Sequence, residues 1–155
     1  MVRMLRIALV LATAALGAGS ALAATIYEAE LTPEQVVPSS GVDAYGQATL
    51  IVSDDATTVY LTVNFAGLDT PQTAAKLLVG PTDQPGDELE PLPLGMSLAL
   101  TLDYTVEMAV ALEADELAIQ IYSEAWPDGA LRGNFDFVTV GVDETTWSQV
   151  KELFN

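Results

Sequence analysis

Two side chains that carry much of protein chemistry are missing from this sequence: none of its 155 residues is cysteine and none is histidine. Without cysteine the chain tolerates an oxidising compartment but gains no disulfide there, so its stability has to come from a packed core. Without histidine it lacks the commonest general base near neutral pH and the commonest ligand for transition metals. Ser123 and Ser148 have no imidazole to activate them, which closes Ser-His nucleophilic chemistry. Basic side chains are also scarce, with five Lys and Arg against 22 Asp and Glu. That imbalance repels nucleic acid and anionic membrane surfaces, and favours cations or simply solubility. No glycine-rich phosphate loop is present, and no repeat of solenoid period.

What is there begins with an export pattern over residues 1–23. Arg3 and Arg6 make a positive start, Ile7 to Leu16 is apolar except for Thr13, and Ala21-Leu22-Ala23 is an Ala-x-Ala site. Cleavage is expected before Ala24. The alternative is an uncleaved anchor, but the apolar run falls short of the ~20 residues that span a bilayer. The mature chain is expected to be secreted or periplasmic, with no membrane span. Removing 23 of 155 residues leaves 132, one domain's worth. Three cations (Lys76, Arg132, Lys151) then face all 22 acids, a net charge of −19.

Apolar–polar alternation, the mark of a half-buried strand, recurs along the mature chain. Thr25–Leu31 puts Tyr27, Ala29 and Leu31 on one face and Glu28 and Glu30 on the other. Tyr45–Ser53 and Thr57–Phe65 alternate around a short Asp54-Asp55-Ala56 turn and predict a hairpin. Thr73–Val79 reads as a fourth strand, and Gly80–Gly95 as a long loop rich in proline and glycine. Met96–Leu102 and Tyr104–Leu112 alternate again and predict two strands or one bent strand. Glu116–Phe135 reads as strand, turn, strand. Leu117, Ile119 and Ile121 alternate with Ala118, Gln120 and Tyr122; Trp126-Pro127-Asp128-Gly129 has turn chemistry; and Leu131, Gly133, Phe135 and Phe137 share a face. Near the end the period changes. Trp147, Val150 and Phe154, with Thr146 and Gln149 spaced as a capping box, predict a short amphipathic helix that docks on the body or on a partner.

Many short strands with turns between them and no intervening helix predict an all-β antiparallel sandwich or barrel. The expected division is a signal peptide over 1–23, a β-sandwich domain over 24–139 and a C-terminal extension over 140–155 carrying the short helix.

Several stretches, in order, resemble the CHRD domain, named for chordin and common as a standalone exported domain in bacteria. Tyr27-Glu-Ala-Glu-Leu-Thr-Pro-Glu-Gln-Val-Val-Pro38 is similar to the family's opening strand and "Gln-Glu-Val-Pro" loop. Tyr45-Gly46-Gln-Ala-Thr-Leu and Tyr60-Leu-Thr-Val-Asn-Phe-Ala-Gly-Leu68 fit as well. Pro127-Asp-Gly129-Ala-Leu-Arg132-Gly133-Asn-Phe resembles the "Pro-x-Gly-Glu-Ile-Arg-Gly" ending. The likeness runs from about Thr25 to Phe137 and implies an immunoglobulin-like or superoxide-dismutase-like β-sandwich. The departures bear on function. Where the family has "Ala-His-Ile-His", this chain has Ala75-Lys76-Leu77-Leu78; where it has "Asn-Val-His-Thr", this chain has Gln120-Ile121-Tyr122-Ser123; and the motif's Glu is Ala130. An imidazole metal cluster, if relatives build one, has no donors here.

Among candidate sites, Arg132 could clamp an anion, or fork onto a neighbouring carboxylate such as Asp128 or Glu124; the excess of acids favours the second. Gly129, Arg132 and Gly133, the family-motif residues, are expected to be structural. The acidic loop from Asp83 to Glu90 could bind Ca²⁺ weakly, but lacks the alternating spacing of an EF-hand, and a solvated loop is the plainer reading. Nothing singles out a facing pair of carboxylates for glycoside hydrolysis. The expected function is an exported, non-catalytic binding or structural module without a cofactor, whose partner is a protein or envelope component. An acidic Ca²⁺-dependent adhesion or matrix protein is the second reading, and a carboxylate enzyme the third.

Overall fold

The computed structural model describes residues 24–138. The expected leader, its cleavage site at Ala23 and the helix around Trp147, Val150 and Phe154 lie outside the described residues, apart from Ala24 itself. In chain order the elements are β1 (Thr25–Leu31), β2 (Tyr45–Val52), β3 (Thr58–Ala66), β4 (Gln72–Val79), β5 (Asp87–Leu92), β6 (Ser97–Asp103), α1 (Val106–Glu113), β7 (Leu117–Ser123), β8 (Leu131–Asn134) and β9 (Asp136–Phe137). The strands form two sheets, ordered β6-β3-β2-β1-β9 and β5-β4-β7-β8. The named strand pairs are all antiparallel. The fold is an all-β sandwich, as the alternation implied.

Register carries the alternation across the first sheet. Leu50, Leu61 and Leu100 stand opposite one another, as do Ala48, Val63 and Leu98. These rows face the second sheet, where Leu77, Leu117, Ile119, Ile121 and Leu131 are buried. Burying each such aliphatic side chain is worth about 1.5–3 kcal/mol. The opposite face of the first sheet is polar, with Glu30, Gln47, Asn64 and Ser97 in one row.

The hairpin β2–β3 turns where alternation predicts, and Asp55 holds the turn by accepting from Ser53 Oγ (2.7 Å), Thr57 N (3.1 Å) and Thr57 Oγ1 (2.8 Å). On one side the sheets are tied together: Thr32, just past β1, exchanges two main-chain hydrogen bonds with Arg132 of β8, at 3.0 and 3.1 Å. That exchange covers the free edge of β8.

Four expectations are corrected. Tyr104–Leu112 is not strand: Val106–Glu113 is helical, capped by Thr105, whose Oγ1 accepts from Met108 N at 3.2 Å. Its Glu, Met, Ala and Leu are strong helix formers, and Met108, Ala111 and Leu112, at i, i+3 and i+4, point into the core. The apolar residues there fit periods of 2 and of 3.6 alike, and the cap breaks the tie. The span Gly80–Gly95 is not all loop: Asp87–Leu92 pairs with β4 through a bulge between Leu77 and Leu78. Its proline and acids suit an edge strand, which needs only one ladder. Phe137 does not continue β8. The chain crosses to the other sheet after Phe135, and Phe137 stands opposite Tyr27, the rings 5.6 Å apart and edge-on. Finally, β7 is not half-buried. Ala118 and Gln120, on its outward face, are buried like Ile119.

Candidate functional site

The outward face of the four-stranded sheet collects Lys76, Leu78 and Tyr122, the residues that the resemblance sets against histidines. Period 2 and the registers bring them together. Lys76 lies opposite Gln120, and Gln120 opposite Arg132; Leu78 lies opposite Ala118, and Ala118 opposite Asn134; Tyr122 lies opposite Ala74. Across β5, Glu88 stands opposite Leu78.

Lys76 is the centre of this face. Its Nζ lies 2.6 Å from Glu88 Oε2 and 5.5 Å from the centre of the Tyr122 ring. The hydrogen bond to Glu88 raises the Lys76 pKa, so the ammonium form is reinforced. Burial raises the Tyr122 pKa above its usual 10.0, which keeps the phenol protonated at neutral pH. Leu78 is buried and has no donor atom. A tethered ammonium, an alkyl group and a neutral phenol therefore fill the three positions. Zinc, copper and iron sites want imidazole or thiolate, and this set supplies neither. The nearest carboxylate, Glu88, is already engaged by Lys76.

Arg132 lies deeper on the same face and is fully buried. It pairs with neither Asp128 nor Glu124, contrary to expectation. Its guanidinium donates instead to the main-chain carbonyls of Gln84, Gly80 (3.3 Å) and Pro81 (3.0 Å). The reason is geometric: the residue alternates to the side where the 80–86 loop folds over β8, and the fork meets that loop's carbonyls first. Burial lowers the Arg132 pKa, yet a guanidinium stays charged at any ordinary pH. Asn134 helps to hold the loop, donating from Nδ2 to Gly80 O (3.4 Å) and Asp115 O (3.1 Å). Every donor that Arg132 uses in a hydrogen bond points at a carbonyl, so the arrangement gives no open anion clamp.

The glycines flanking Arg132 explain the tight turn. At Gly129, φ is +126° and a Cβ would stand 2.3 Å from Gln120 Nε2. That same nitrogen donates to Asp128 O at 2.8 Å. At Gly133 a Cβ would stand 2.5 Å from the main-chain oxygen of Glu30, where β8 packs against β1. The turn closes through Gly129 N to Trp126 O at 3.1 Å.

The other candidates do not assemble. From Asp83 to Glu90 the acids split between an exposed loop and β5, with Glu88 tied to Lys76. Among the described residues no three of His, Cys, Asp and Glu come together as a metal-holding group. Ser123 is buried. An open cleft of about 770 Å³ on the other sheet includes Glu28, Glu30 and Asp136 in its lining. Glu28 and Asp136 sit side by side on paired strands, whereas paired glycosidase carboxylates must face each other across the substrate. Among the described residues, no helix is long and apolar enough to cross a membrane.

Sequence reasoning missed two partners in this face. Glu88 falls in a stretch whose prolines and glycines predict loop, and the bulge in the β4–β5 pairing that sets it opposite Leu78 has no signature in the sequence. Asn134 is a common residue at the end of a strand, and only the folded 80–86 loop gives it a task. The family model of the CHRD domain matches residues 27–135. No curated protein and no solved structure matches the chain.

Proposed function

The chain belongs to the CHRD domain family, and from that premise we propose that it is an exported, non-catalytic module that binds or scaffolds in the periplasm, envelope or extracellular space. One observation carries the reading. The outward sheet face, where family histidines would stand, is filled by the Lys76–Glu88 pair, the Tyr122 ring and buried Leu78. A face occupied in this way offers neither an activated nucleophile nor a site for a transition metal. Gly129, Arg132 and Gly133 then serve to build the turn and to pin the 80–86 loop, and so belong to the scaffold.

Export rests on Arg3, Arg6 and the Ala21-Leu22-Ala23 site, and on a family whose domains occur in extracellular and periplasmic proteins. The division into a leader over 1–23, a sandwich over 24–139 and an extension over 140–155 follows from the same reading. Intact-mass measurement of exported protein tests it: the expected mass begins at Ala24, and a mass that retains Met1 would contradict cleavage. Turnover of a hydrolase or dismutase substrate by the purified chain would contradict the non-catalytic part.

A further inference from the structure

At the far end of the four-stranded sheet, β5 and α1 border an open groove of about 410 Å³. Three features meet there. First, β5 is hydrogen-bonded to one neighbour only, β4, so its outer edge is unpaired among the described residues. An edge of this kind is a template for another strand. Second, α1 turns Met108, Ala111 and Leu112 into the core but leaves Val106 79% and Val110 60% exposed beside the groove. With half-buried Leu89 they make an apolar floor. Third, the rim is acidic: Asp87, Glu107 and Glu116 line it, while the two cations among the described residues are engaged elsewhere, Lys76 by Glu88 and Arg132 by carbonyls of the 80–86 loop.

We propose that this groove docks an extended, cationic segment of another protein, with one apolar side chain set between Val106 and Val110 and basic side chains meeting Asp87, Glu107 and Glu116. The charge selects the occupant. A second copy of the mature chain, with its three cations against 22 acids, brings a net charge of −19 and would be repelled from an acidic rim, whereas a basic segment is drawn to it. Pro91 has no N–H to offer, so strand pairing is confined to the part of β5 from Asp87 to Glu90. The proposal rests on the module reading above and names the class of partner.

The test titrates the mature chain with a short peptide alternating lysine and valine, and with a control in which glutamate replaces lysine. Saturable binding of the lysine peptide is expected, weakening as NaCl is added, with none for the glutamate peptide. The variant Val106→Ser/Val110→Ser should bind about tenfold more weakly. The variant Asp87→Asn/Glu107→Gln should lose most of the salt dependence. All four positions are solvent-exposed, so the fold is kept, as an unchanged melting curve will show. Equal binding of the two peptides, or undiminished binding by the valine variant, would overturn the proposal. So would a salt-sensitive dimer that the valine variant abolishes, since that would assign the groove to a second copy. None of these readouts reports turnover or metal, so the module reading can survive the loss of this site.

Discussion

The guanidinium of Arg132 holds the carbonyl oxygen of Pro81 at 3.0 Å, and through it fixes the 80–86 loop over the outward face of the sheet. Arg132 is one of two basic residues among those described, and it is the buried one. Its replacement by Met strands carbonyls at Gly80, Pro81 and Gln84 and should cost about 2–4 kcal/mol. Arg132→Lys keeps the charge without the fork and should recover only part of that. Urea denaturation of the three proteins checks the order, and amide exchange in the loop should quicken in both variants.

Gly133 sits where two backbones nearly touch. A methyl group there meets the Glu30 carbonyl oxygen at 2.5 Å, and a backbone atom cannot swing aside as a side chain can. Gly133→Ala should destabilise by about 1–3 kcal/mol, the usual range for overpacking. Gly129→Ala adds a strained φ and displaces Gln120 from Asp128 O, so it too should destabilise. Thermal melts measure both; an unchanged melting temperature for Gly133→Ala would show that β1 and β8 can part without cost.

Much of this was legible beforehand, and the reasons divide cleanly. The rows Ala48–Leu50–Val52 and Val59–Leu61–Val63 alternate without ambiguity, and they face the core as read. The turn at Gly129 was visible because Pro127, Asp128 and Gly129 each favour it for a separate reason. What failed depended on tertiary context. Val106 to Leu112 satisfies two periods at once, and its helix shows only through Thr105. Arg132 was expected to find a carboxylate in a chain full of them, yet the nearest acceptors are carbonyls of a loop distant in sequence. The contact between Lys76 and Glu88 depends on a strand hidden among prolines and acids.

Thr105 is the residue that sets α1 in place. Removing its hydroxyl leaves Met108 N without its partner, and Thr105→Ala should cost about 0.5–2 kcal/mol. Urea melts at neutral pH give the number. A variant as stable as the parent would mean that Met108, Ala111 and Leu112 alone hold the helix on the core.

A pH dependence follows from Asp55. Hydrogen bonds from Ser53 and Thr57 lower its pKa below the ordinary 3.8. Stability from a lowered carboxyl is fully present above the ordinary value and is lost as pH falls through the lowered one. The stability difference between the parent and Asp55→Ala should therefore be constant near neutrality and shrink towards about pH 2. Lys76 works in the opposite direction. Its pKa is raised from 10.5 by Glu88, so that contribution is present below the ordinary value and is lost as pH rises through the raised one. Glu88→Gln should remove only the Lys76 share of the alkaline loss, because burial also raises the pKa of Tyr27, Tyr104 and Tyr122 and their shares remain. It should leave the contribution of Asp55 at low pH in place.

The proposed function is that of a binding scaffold without transition-metal chemistry, a CHRD sandwich in which resemblance sets Lys76, Leu78 and Tyr122 against the family's histidines. Calorimetric titration of the untagged mature chain with Zn²⁺, Cu²⁺ and Ca²⁺, together with elemental analysis of the protein as purified, decides it. No stoichiometric zinc, copper or iron is expected, and no saturable heat with Zn²⁺ or Cu²⁺. Tight calcium binding alone would favour the Ca²⁺-dependent adhesion reading. One equivalent of zinc or copper held at submicromolar affinity would contradict the claim.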